Sequence, residues 1–182
     1  HEEAQDHYDQ AIELDYTSME AWLGLAGVHA HQNSWSEVIR CLAVVLTLDP
    51  SEREAHFRLG QTLIELGDFH RAIHHFDQIL EPQSQDAETL SYRAVAQFHC
   101  GEWDLSHADC ERAITLAPRY GLPRLYRALN QLEQHPNKLE ESMQELYIAH
   151  QLDPRNPGAM LVLSELHVEQ NNQEEAVQCL LE

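Results

Sequence analysis

Thirteen histidines and four cysteines are the side chains best equipped for chemistry in this 182-residue chain. His70-x-x-x-His74-His75 sets imidazoles one helical turn apart, a spacing that can chelate a divalent cation. That stretch offers no third ligand of fixed geometry, and His29 and His31, two residues apart, point to different faces of a helix. No metal site and no cofactor are therefore expected. Cys41, Cys100, Cys110 and Cys179 are scattered, with no pair at metal-ligand spacing, and read as reduced structural thiols. His1-Glu2-Glu3-Ala4-Gln5-Asp6-His7 departs from the zinc-protease His-Glu-x-x-His pattern. Lys138, the only lysine, has no glycine-rich neighbour that could cradle a phosphate, and no nucleophile stands beside a base. The expectation is a chain that is not itself an enzyme.

The elements that position these residues repeat. Trp22, His56, Leu90 and Arg124 are 34 residues apart, as are Ala26, Gly60, Ala94 and Ala128. Pro50, Ser84 and Pro118 keep that interval, and so do Gly67 and Gly101. Such a period is the signature of stacked helix–turn–helix units. Within the unit from Arg53 to Asp86, Leu59, Leu63 and Leu66 make one apolar helical stripe, and Ala72, Ile73, Phe76, Ile79 and Leu80 make a second. Gly67-Asp68 separates them: glycine ends a helix in the left-handed conformation at little cost, and aspartate caps the next one. Neither helix can bury its stripe alone, so each pair must pack on itself and on its neighbours. The small residues Ala26, Gly60, Ala94, Ala128 and Ser164 mark where paired backbones approach closely.

These columns carry a resemblance. Trp22-x-x-Leu25-Ala26-x-x-His29 followed by Val38, Leu42, Val45 and Pro50 is similar to one tetratricopeptide repeat. Leu59-Gly60-x-x-Leu63 with Ala72 and Phe76 resembles the next, and Ala94, Ser106, Cys110, Ala113 and Pro118 the one after. The resemblance implies an all-α, right-handed superhelical solenoid of antiparallel helix pairs: the second helix of a repeat over 1–18, repeats over 19–52, 53–86, 87–120 and 121–156, and a partial repeat over 157–182. Pro154 follows Pro118 by 36 residues, which places a two-residue insertion around His135-Pro136-Asn137. Eleven helices are expected, one alone and then five pairs. The chain opens mid-repeat and stops without a polar capping helix, which suggests a piece of a longer protein.

Charge narrows the partners. Against 11 basic residues stand 31 acidic ones, a net −20 at neutral pH. Eight acids and no Lys or Arg precede Arg40, and five acids follow Arg155; only from Arg112 to Arg127 does the balance invert. Nucleic acid is excluded as an expected partner, because phosphate neutralisation needs a basic footprint. No run is long and apolar enough for membrane insertion, and a cytoplasmic setting is expected.

The resemblance implies a concave surface lined by the first helices, where Phe57, Ile64, Tyr92, Val95, Phe98, Leu122, Leu125, Tyr126 and Leu129 would form an apolar groove for an extended peptide or helix. The family's two-carboxylate clamp for chaperone C-termini is expected to be absent. Its lysine and asparagine places hold Leu23, Gly27, Arg58, Glu88 and Tyr92, or one repeat later Phe57, Gln61, Tyr92, Leu122 and Tyr126. Arg119 and Arg124, with Arg127, could anchor an acidic side chain of a ligand. The expected role is a protein-binding scaffold or adaptor. A regulatory or substrate-docking segment of a larger enzyme and a self-association module are the alternatives.

Overall fold

The computed structural model describes residues 2–80 and 85–181. Ser84, the middle member of one repeating column, lies outside them. The described residues form eleven α-helices, one short 3-10 turn and no strand: α1 (Glu2–Leu14), α2 (Met19–His31), α3 (Trp35–Leu48), α4 (Arg53–Glu65), α5 (Phe69–Ile79), α6 (Ala87–His99), α7 (Trp103–Leu116), α8 (Leu122–Gln134), the turn Pro136–Lys138, α9 (Leu139–Leu152), α10 (Gly158–Glu169) and α11 (Gln173–Leu181). They group into two compact units, His1–Ser84 and Gln85–Glu182. Within each unit every helix packs on the next one in the chain.

The turn inside each helix pair is one motif written four times. The amide three residues past each helix reaches back five residues: Ser34 to His29, Asp68 to Leu63, Glu102 to Gln97 and Asn172 to His167, at 2.8–2.9 Å. This Schellman closure needs one residue in the left-handed conformation. Gly67 and Gly101 supply it with φ of 74° and 77°, and Asn33 and Asn171 with 55° and 62°. His135 stands at the corresponding place of the 121–156 segment and has φ −138° instead; there α8 runs into the Pro136–Lys138 turn.

The small column does what close packing requires. Ala26, Gly60, Ala94, Ala128 and Ser164 are all buried. A Cβ on Gly60 would clash with the edge of the Phe76 ring, so the α4–α5 pair closes this tightly only around glycine. In the α6–α7 pair the Ser106 hydroxyl donates to the Ala94 carbonyl at 2.8 Å, and the Asn130 amide of α8 donates to Ser106 at 2.8 Å. In the last pair the roles exchange, with Ser164 of α10 donating to the Ala176 carbonyl at 3.1 Å. Around these contacts lie two apolar cores. Leu25, Val38, Cys41, Leu42, Val45, Ala55 and Leu59 fill that of the first unit. Leu125, Met143, Leu146, Ala159, Met160, Leu163 and Cys179 fill one in the second. Burial pushes the Cys41 thiol up to about 11 and the Cys110 thiol to about 12, which keeps both as inert packing groups.

Candidate functional site

Two of the nine expected groove residues belong to the core. Val95 is 5% exposed and Leu125 6%, and Leu125 reaches into the hairpin of the following repeat, 3.0 Å from where a Cβ of Gly158 would sit. A first helix inside a stack is covered both by its own partner and by the next pair, so its apolar stripe is wider than any surface it presents. Phe57 leans on the buried Phe76 ring edge-to-face, with centroids 6.1 Å apart, and is half-buried like Ile64.

In the second unit the expected groove residues that stay partly accessible centre on two aromatic rings. Phe98 near the end of α6 and Tyr126 in α8 meet edge-to-face, centroids 5.5 Å apart and planes at 75°. Both are half-buried, as are Tyr92, Leu122 and Leu129. His99, which the sequence reading passed over, joins them. Its ring lies 5.4 Å from that of Phe98 and 6.1 Å from that of Tyr126, and the Tyr126 hydroxyl approaches its Nε2 at 3.5 Å. Burial holds the imidazole pKa below its ordinary value and raises that of the Tyr126 phenol. At neutral pH the cluster therefore presents three uncharged rings from two neighbouring first helices. The signal for His99 was its place beside Phe98 in the last turn of α6.

The arginines turn inward. Arg124 Nη1 lies 3.3 Å from Glu145 Oε2 and Arg127 Nη2 2.5 Å from Glu145 Oε1, so two of the three expected anion anchors hold a carboxylate of α9. No acid lies near them in sequence, but the hairpin brings one from 21 residues away. Arg93 makes a two-pronged pair with Asp109, Nε to Oδ2 at 2.7 Å and Nη2 to Oδ1 at 2.9 Å. Arg119 is exposed. Arg58, at one of the clamp places, bonds the Leu23 carbonyl at 2.8 Å and Glu54 at 2.7 Å. A polar cleft of about 580 Å³ opens along another side of α8, between α7 and α9, through Asp104, Glu111, Arg127, Gln131, Gln134 and Glu141. Among the described residues no group of three or more His, Cys, Asp and Glu could hold a metal ion, and no helix is long and apolar enough to cross a membrane.

The sequence profile of the tetratricopeptide repeat matches residues 1–37, 39–87 and 57–120. The chain belongs to the tetratricopeptide repeat family. Over 115 residues it is 31% identical to sperm-associated antigen 1 of Mus musculus, a stretch that is 63% of this chain but only 12% of that protein. A tetratricopeptide repeat protein of Parabacteroides merdae superposes with a TM-score of 0.79 at 18% identity, over 98% of this chain and 69% of that one. YrrB, described as a repeat protein with an unusual peptide-binding site, superposes at 0.69 with 16% identity, over 97% of this chain and 90% of that one. At such identities the superpositions show the fold alone.

Within the tetratricopeptide frame, the arginine pairs are one feature repeated. Arg93 and Arg127 are 34 residues apart, and their partners Asp109 and Glu145 are 36 apart, the two extra residues being the insertion before α9. Each pair pins a first helix to its own second helix.

Proposed function

We propose that this tetratricopeptide chain is a protein–protein interaction scaffold that docks an apolar segment of a partner, extended or helical, on the first helices of its second unit. The observation that carries the reading is the Phe98–His99–Tyr126 cluster: uncharged aromatic surface, supplied by α6 and α8 and held in place by the cores beneath. Aromatic anchors typically carry most of an interface's energy. Tyr92, Leu122 and Leu129 supply the flanking contacts, whereas Val95 and Leu125 support the surface from below. The repeat fold supports a scaffold in general. YrrB, of the same fold, is described as having a peptide-binding site. In this reading the chain catalyses nothing, works in the cytoplasm and binds neither nucleic acid nor a chaperone's terminal carboxylates. Arg119 is the one candidate anion anchor that the fold leaves exposed.

The test is affinity for a captured partner segment. Phe98→Ala and Tyr126→Ala are each expected to cost about 2 kcal/mol of binding or more, with the helical spectrum unchanged. Full affinity in both variants would refute docking at this cluster.

A further inference from the structure

The α4–α5 pair holds two histidines whose nitrogens face each other. His56 Nδ1 and His75 Nδ1 are 3.0 Å apart, and the rings are tilted by 43° with centroids 5.2 Å apart. On its other side His56 Nε2 lies 3.0 Å from the Pro50 carbonyl. A carbonyl only accepts, so the His56 proton is on Nε2 and its Nδ1 is a bare acceptor. His75 must then donate from Nδ1. The buried hydrogen bond survives one added proton, because a charged His75 keeps its Nδ1–H, but not two, and His56, 7% exposed, has little water to replace it.

We propose that His56 and His75 form a proton-operated latch on the α4–α5 pair, closed at neutral pH and released by acidification. The groups acting on His75 are His56 from α4 and His74 and Arg71 from α5, all basic. The turn that supplies the Pro50 carbonyl also holds Asp49, but its carboxylate is engaged by the Ser51 amide and hydroxyl at 2.8 and 2.7 Å. Among the described residues no carboxylate is one of the groups acting on His75, so none offsets a first proton added to it. A second would leave two Nδ1–H donors 3.0 Å apart, and the bond is lost. Burial, with those neighbouring basic groups, depresses His75 to about 4 from its ordinary 6.5. Because the folded value lies below the unfolded one, the latch's stability is complete above pH 6.5 and drains away as pH falls towards 4.

Nitrogen-15 spectra of the histidine rings at pH 7.5 are expected to show His56 protonated on Nε2 and His75 on Nδ1; the reverse assignment would overturn the latch. Urea unfolding at pH 7.5 and pH 5.0 supplies the second arm. The folded-to-unfolded ratio of the wild-type chain is expected to fall about 30-fold more than that of His75→Gln, whose amide donates the same bond without titrating. His7→Gln, exposed on α1, serves as the control and should behave as wild type. Equal losses in wild type and His75→Gln would refute the proposal. If His75→Gln fails to fold, amide exchange of the wild-type chain decides: α4 and α5 must lose protection at pH 5.0 before α6 to α8, and uniform loss would overturn it.

Discussion

One pair of repeat columns is filled differently in the two units. In the first two helix pairs of the second unit it holds Arg93 with Asp109 and Arg127 with Glu145, and in α10–α11 the apolar Leu163 and Cys179. In the first unit the same places hold Leu59 and His75, and 34 residues earlier Leu25 and Cys41. The backbone motif is common to both, down to the Schellman turn. The second unit thus closes two of its three helix pairs with guanidinium–carboxylate pairs, each charge needing the other. The first closes them with apolar contact, and its one polar member takes a neutral partner, His56, from elsewhere on α4. Helix-pair geometry is therefore set by the turns and the small residues, and the closing pair is free to vary in chemistry.

Breaking the charged version should have the largest effect. Arg93→Ala leaves Asp109, 4% exposed, with Arg112 at 3.5 Å as its remaining cation, and is expected to destabilise the chain by about 3 kcal/mol in urea. Leu59→Ala, the equivalent change in the first unit, removes apolar burial without stranding a charge, at about 2 kcal/mol. Similar losses whose difference vanishes would mean that the pair is not what closes α6 on α7. Next come the small columns: Gly60→Ala against the Phe76 ring and Ala94→Leu against α7 are each expected to cost about 1–3 kcal/mol by overpacking. A neutral result at either site would contradict the close approach. Smallest is the turn. Gly67→Ala meets no atom within 4 Å and costs only its φ of 74°, about 1 kcal/mol by thermal melting. Gly67→Asn should be nearly silent, since Asn33 and Asn171 already occupy that place.

The helix pairs were legible in the sequence because apolar stripes, small residues and glycine turns recur in register, and each is a local or near-local signal. Asn33 and Asn171 were missed as members of the glycine column, although asparagine is the other residue that tolerates the left-handed region. The partners of Arg124 and Arg127 were not legible. Glu145 is 18 residues beyond Arg127, across a turn lengthened by the insertion. Val95 and Leu125 were read as surface because a helical stripe reports how much is apolar, not which neighbour covers it. The site that remains is narrower than the sequence suggested and adds His99, whose role depends on rings brought from a different helix.

The central claim is that binding rests on the aromatic cluster of α6 and α8 rather than on the chain's acidity. It is tested most directly by titrating one purified partner segment against the wild-type chain, Phe98→Ala, and a variant with the α1 glutamates Glu3 and Glu13 changed to glutamine. The account predicts a loss of about 30-fold for Phe98→Ala, the equivalent of about 2 kcal/mol, and an affinity close to wild type for the glutamine variant. Unchanged binding by Phe98→Ala, with the loss falling on the glutamine variant, would contradict it.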